Sequence, residues 1–209
     1  ISNCISVYLV YTNNYMATEG AEYYQDQVMY RYGTCGYWLY YQLHTNKYNQ
    51  LVHALIMPLT AYGALLMVAG AYANMHVRKY VGHGQFHKYY TVNRSTIPPY
   101  LIPYVILHAY TLYYLTFDVL GALFTCMYYL PSVYLAADVI LAARTSVDRD
   151  TSTYANAFRE GLLMLIVGVV LQEVFGHLLF EYSNSDLRQI ANSIAIAPYF
   201  AANVVMKML

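Results

Sequence analysis

Charge is what this chain of 209 residues has least of: eleven Lys plus Arg and eleven Asp plus Glu, 11% of its residues. Soluble domains carry about a quarter charged residues. The remainder here is too small to solvate a globular surface of this length, which excludes an ordinary water-soluble monomer. The formal net charge is zero, so no basic field exists to hold a phosphate backbone, and a nucleic-acid partner is excluded with it. Cysteine is equally sparse. Cys4, Cys35 and Cys126 stand far apart with no C-x-x-C pair, which argues against a disulfide framework and against a thiolate zinc site. Residues 1–15 lack the basic segment of a signal peptide, and an initiator-like context occurs at Met16 (MATEG). No fixed-period repeat or low-complexity tract is present, beyond a faint echo between QLVHALIMPL and QIANSIAIAPY.

What the chain does have is apolar length and tyrosine. Of its residues 59% are hydrophobic, and 27 of 35 aromatics are Tyr, against one Trp. A tyrosine ring with a polar tip suits the water–lipid boundary, or a buried site where the hydroxyl finds a partner. One helical crossing of a bilayer needs about 20 apolar residues, and a charge within it is costly. The gaps between charges therefore mark the crossings. Four are expected: Leu51 to Tyr72, Ser95 to Phe117, Val119 to Ala143 with a kink at Pro131, and Gly161 to Phe180. Pro98, Pro99 and Pro103 open the second, because proline is tolerated in a first helical turn. Asp118 separates the second from the third. A last apolar segment, Ile190 to Met206, contains Pro198 and reads as a re-entrant, interfacial or packed terminal helix.

The expected fold is an all-α integral membrane bundle, with an N-terminal extension over 1–20 and a single membrane-embedded domain over 21–209. An interfacial helix is predicted over 17–44, where Glu19, Glu22 and Asp26 favour a helix start and Tyr37, Trp38, Tyr40 and Tyr41 form an interface anchor. Loops 73–96 and 144–160 hold seven of the eleven basic residues. With four spans, these loops face one side and both termini the other, the loop side being cytoplasmic or matrix by the positive-inside rule.

Titratable groups inside apolar segments are functional candidates, since each needs a partner or a water-filled cavity. They concentrate in two places. In YYQLHTNKYNQLVHALIMPL, Asn49 and His53 lie four apart on one helix face, while His44 can join them only if TNKYN breaks the helix. In LQEVFGHLLFEYSN, Glu173, His177 and Glu181 stand at i, i+4 and i+8. Taken alone, this stripe reads first as a structural tie, with Glu173 or Glu181 hydrogen-bonded to His177 Nδ1 and paired with Arg188. An even number of spans brings the start of the first and the end of the fourth to one membrane face. His44, His53 and His177 with Glu173 and Glu181 then make a set suited to non-haem iron, or less well to zinc, with open positions for a substrate. Asn49 is expected to support that set. His108, in the middle of the second span, is open to three roles: fourth ligand, supporting donor or core residue. His76, His83 and His87 read as solvated side chains of the basic loop.

H-x4-N-x3-H followed by Pro58 and Leu59, joined far downstream to G-H-x-x-F-E and then A-P-Y-F, resembles the fungal-type 2-hydroxy fatty acid dioxygenases, small multispan membrane proteins. The matching residues are His44, Asn49, His53, Pro58 and Leu59, then Gln172, Gly176, His177, Phe180, Glu181, Pro198 and Phe200. The resemblance extends over residues 25 to 205. It implies an endoplasmic-reticulum enzyme that uses Fe(II) and oxygen to shorten long-chain 2-hydroxy fatty acids by one carbon, a step of fatty acid alpha-oxidation, with His44, His53 and His177 as catalytic groups. Ile56 and the pair Ser185 and Asp186 depart from the family pattern. Those departures and the tyrosine content suit an alternative, a non-catalytic accessory subunit of a larger membrane complex, for instance in the mitochondrial inner membrane. In both readings membrane lipids are the immediate surroundings.

Overall fold

The computed structural model describes residues 44–81, 97–145, 151–181 and 190–209, with side chains described at all of these except 76–81, 145, 151–152, 181 and 190–193. The predicted interfacial helix over 17–44 and the N-terminal extension lie outside the described residues, apart from His44, and so do His83, His87 and the side chain of His76. Every regular element described is helical. In chain order they are α1 (Lys47–Val81), a 3-10 turn (Pro99–Leu101), α2 (Ile102–Tyr114), α3 (Val119–Thr145), α4 (Thr151–Leu171) running on into a π-helical segment (Gln172–Glu181), and α5 (Ile190–Met208).

Three of these helices are long and apolar enough to cross a membrane, over Lys47–Met75, Val119–Arg144 and Thr153–Phe180, and they mark a membrane protein. The second expected span is shorter. α2 has 13 residues, about 20 Å at 1.5 Å per residue, less than the hydrocarbon thickness of about 30 Å. The three prolines do open it, through the 3-10 turn at Pro99. Its far end is set by Asp118, whose carboxylate accepts a hydrogen bond from the Gly121 N–H and so caps the first turn of α3. The other carboxylate oxygen of Asp118 accepts the Tyr199 hydroxyl of α5, which fixes this corner to the core.

Two expected loops are partly helix. α1 continues to Val81 and α4 begins at Thr151, so the basic connections are shorter than 73–96 and 144–160. The segment ANMHVRKYV has no Gly or Pro to stop it, and loss of hydrophobicity alone does not end a helix.

α1 and α4 pack antiparallel through glycine. A Cβ on Gly63 would run into the Leu165 N–H and the Gly161 carbonyl, and one on Gly161 would strike the backbone of Met67. Gly70 lies against Phe158, and Gly168 against Thr60. Gly63 and Gly70, like Gly161 and Gly168, are spaced by two helical turns, so each helix presents a stripe with no side chain. Close backbone approach of this kind is how helices associate where lipid removes the hydrophobic drive. α5 is the packed terminal helix among the three expected alternatives. Phe200, Ala201 and Ala202 are fully or almost fully buried, in one core cluster with Ala54 and Met57 of α1, Tyr114 of α2 and Tyr129 of α3.

Tyrosine hydroxyls repair the helices where proline interrupts them. Pro58 has no N–H for the Ala54 carbonyl, which instead accepts the Tyr128 hydroxyl of α3. One turn on, the Ser132 hydroxyl donates to the Pro58 carbonyl at 2.9 Å. In α5, Pro198 frees the Ile194 carbonyl, which accepts from the Tyr110 hydroxyl at 3.1 Å, while Tyr114 donates to the Ala195 carbonyl at 2.8 Å. The faint echo between the two proline segments thus has a structural counterpart. An unpaired buried carbonyl costs about 1–3 kcal/mol. Tyr128→Phe is expected to destabilise the protein by about that much, and by distinctly less in a Pro58→Ala background, where residue 58 regains its N–H. Equilibrium unfolding in mixed micelles measures both; equal losses in the two backgrounds would disprove the repair.

Candidate metal centre

The break expected in TNKYN occurs at Asn46. Its side-chain oxygen accepts the Tyr48 N–H at 2.8 Å and caps α1, while its Nδ2 donates to the Phe180 carbonyl of the π-helical segment at 2.9 Å. The chain before the cap is tied back by Gln50, whose Nε2 donates to the His44 carbonyl at 2.7 Å. His44 is therefore folded over the first turns of α1 instead of extending away from them. His53, on the second turn, points to the same place.

The third imidazole comes from the π-helical segment. Gly168, Gln172, Gly176 and His177 are buried, whereas Val174, Phe175, Leu178 and Leu179 are exposed. The wider π turn keeps a four-to-five-residue inward rhythm, and such segments are frequent at functional sites. Gly176 brings the backbone against α1: a Cβ there would overlap the Asn49 side-chain oxygen and approach His53 Nε2 to 3.3 Å.

The three histidines consequently meet. Ring centroids are 4.6 Å apart for His44 and His53, 4.8 Å for His44 and His177, and 5.2 Å for His53 and His177, each pair edge to face. One nitrogen from each lies within 4.8 Å of the others. Exposure is 3% for His44 and His53 and 7% for His177. Metal bonds of about 2.0–2.1 Å require the nitrogens to draw somewhat closer than this. Gln172, buried on the same inward line, donates through Nε2 to Thr60 Oγ1 at 2.6 Å. Phe200 of α5 closes another side, its ring 5.4 Å from that of His44.

The carboxylates fare differently. Glu173 is only half-buried and does not belong to the histidine group, because the inward line of the helix runs through Gln172, Gly176 and His177 and leaves residue 173 on the flank. The side chain of Glu181 lies outside the described residues. His108 is not a supporting ligand: it is exposed on the outer face of α2, beside Tyr104, Val105 and Leu112. Asn49 stands where a supporting residue should, fully buried and against Gly176, with neither Oδ1 nor Nδ2 hydrogen-bonded. Leaving a buried amide unpaired costs about 1–3 kcal/mol per group. Asn46, Gln50 and the packing role of Gly176 went unread at the sequence level, although Asn46 before a helix start is a recognisable cap signal.

Chemically, three buried imidazoles converging on one point can hold a divalent transition metal ion and leave positions for an external ligand. The site lies at matching ends of two crossing helices: His44 precedes the start of α1, and His177 is close to the Phe180 end of the span in α4. No protein-family model, curated protein or solved structure matches this chain.

Proposed function

We propose that the protein is a membrane-bound, Fe(II)-dependent dioxygenase that shortens long-chain 2-hydroxy fatty acids by one carbon. The observation that carries this reading is the convergence of His44, His53 and His177, all buried, at one end of two membrane-crossing helices. The motif resemblance names the substrate class. Ferrous iron, when bound there, supplies the one-electron chemistry by which oxygen reacts with an organic acid.

The reaction is balanced without a further reductant. A 2-hydroxy acid and one O2 give the acid one carbon shorter, CO2 and water. The bond between C1 and C2 breaks, C2 loses three electrons and C1 one, and O2 accepts all four. The chain's own contribution is to bind and exclude. His44, His53 and His177 hold the ion away from water. The exposed apolar face of the π-helical segment, with Val174, Phe175, Leu178 and Leu179, offers the acyl chain a route from lipid while its polar head stays at the interface.

In this reading α2 with its proline turn completes a four-span bundle in the endoplasmic reticulum, with both termini on one side. Single cysteines introduced at Gly84 and Ser152 should label from the side opposite to those at Asn13 and Asn184; labelling of all four from one side would refute that topology. Function is tested by anaerobic reconstitution with Fe(II), followed by oxygen and 2-hydroxypalmitate. Stoichiometric iron and release of pentadecanoate are expected. A metal-free, inactive wild type that co-purifies with a large membrane complex would instead establish the accessory-subunit reading.

A further inference from the structure

Among the described residues, Asn49 is the one fully buried residue beside the histidines whose whole polar group is unengaged: both Oδ1 and Nδ2 lack a hydrogen-bond partner. A structural asparagine at this depth would be tied on at least one side. Its placement is also specific. Gly176 lacks a Cβ, so the Asn49 side-chain oxygen packs directly on its backbone and the amide is held beside His53 Nε2. A third observation concerns charge. Among the described side chains no carboxylate joins the three imidazoles. A divalent ion held by neutral imidazoles keeps both positive charges, and in a buried site these demand an anion.

We propose that the Asn49 carboxamide seats an oxyanion on the metal: it hydrogen-bonds an oxygen of a carboxylate-bearing ligand that shares the ion with His44, His53 and His177. The proposal rests on the metal-centre reading above and deepens it, since it makes the acid group of the ligand, and not its chain, the feature the site selects. Asparagine suits this task where aspartate would not. Its amide offers a donor and adds no negative charge, so the ion stays electron-poor toward an incoming anion.

The test uses the whole protein in detergent, loaded with Co(II), whose visible absorption reports its ligands, and titrated with octanoate or octanol. Octanoate should change the Co(II) spectrum and octanol should not. In Asn49→Leu, Co(II) should still load at near wild-type stoichiometry while octanoate affinity falls at least about tenfold. In Asn49→Asp, Co(II) should bind at least as tightly and octanoate more weakly than in the wild type. A further arm needs no variant. With Zn(II) in place of Co(II), the Asn49 side-chain amide of the wild type should shift in its 15N spectrum when octanoate is added. Loaded protein whose spectrum ignores octanoate, an unshifted Asn49 amide, or an Asn49→Leu protein that binds octanoate as the wild type does would each overturn the proposal and leave the metal centre standing. Failure of the wild type to load Co(II) would overturn the metal centre and the proposal with it.

Discussion

His177→Ala is expected to reduce bound iron to below about one-tenth of the wild-type level and to abolish turnover of 2-hydroxypalmitate with it. The reasoning is geometric. His177 is the single ligand contributed by the π-helical segment, and the other two come from the neighbourhood of α1, so its removal leaves two imidazoles on one side of the ion. Two-ligand sites bind divalent ions weakly, because each ligand lost must be replaced by water in a buried pocket that solvates it poorly. Folding should be retained, since the helices associate through the glycine stripes and the proline repairs, neither of which includes His177. Metal analysis of purified protein, with circular dichroism as the control, reads both consequences. Metal should also leave the wild type on acidification. Imidazole binds metal through the nitrogen that a proton would occupy, so protons compete for the site and affinity falls as pH is lowered. Full iron content in His177→Ala would show that the three histidines do not form a metal centre.

Gly161→Leu is expected to be the most disruptive single substitution outside the histidines. A Cβ at this position already collides with the Met67 backbone and the Gly63 carbonyl, and backbone cannot move aside as a flexible side chain can. Overpacking in a core commonly costs about 1–3 kcal/mol; separating two backbones in contact should exceed that, and it also displaces His177 from His53 at the far end of the same helix pair. The variant should unfold at much lower denaturant in mixed micelles and lose metal. A Leu162→Ala control, on the exposed face of α4, should do neither. Wild-type stability in Gly161→Leu would mean that α1 and α4 are not packed backbone to backbone.

The helical, membrane-embedded character of the chain was readable from composition because it depends on sums. Few charges and long gaps between them are properties of segments, and the three long helices lie where the gaps lie. The proline start of α2, the boundary at Asp118 and the break in TNKYN were readable for a local reason: each is governed by residues within one turn. Helix ends were less so. Val81 and Thr151 extend α1 and α4 beyond the apolar stretch, because neither ANMHVRKYV nor TSTYANAFRE contains the Gly or Pro that would stop a helix that hydrophobicity began.

The site divides along the same line. His44, Asn49, His53 and His177 could be singled out in the sequence as polar groups that an apolar segment has no reason to carry. That three of them share one point could be argued only through the parity of the spans, and it is the glycine stripes of α1 and α4 that bring the two ends together. Glu173 was chosen for its spacing from His177, yet spacing along a helix gives an angle only relative to that helix. Which side faces the partner is decided by packing, and Gly168, Gln172 and Gly176 turn that side inward, leaving Glu173 on the flank and the outward face of α2 to His108. The sequence by itself determined that this is an apolar helical chain with buried imidazoles, since both follow from local composition. Only the tertiary structure decided which of them meet, because side-chain convergence depends on the distance and rotation between helices that are remote in sequence.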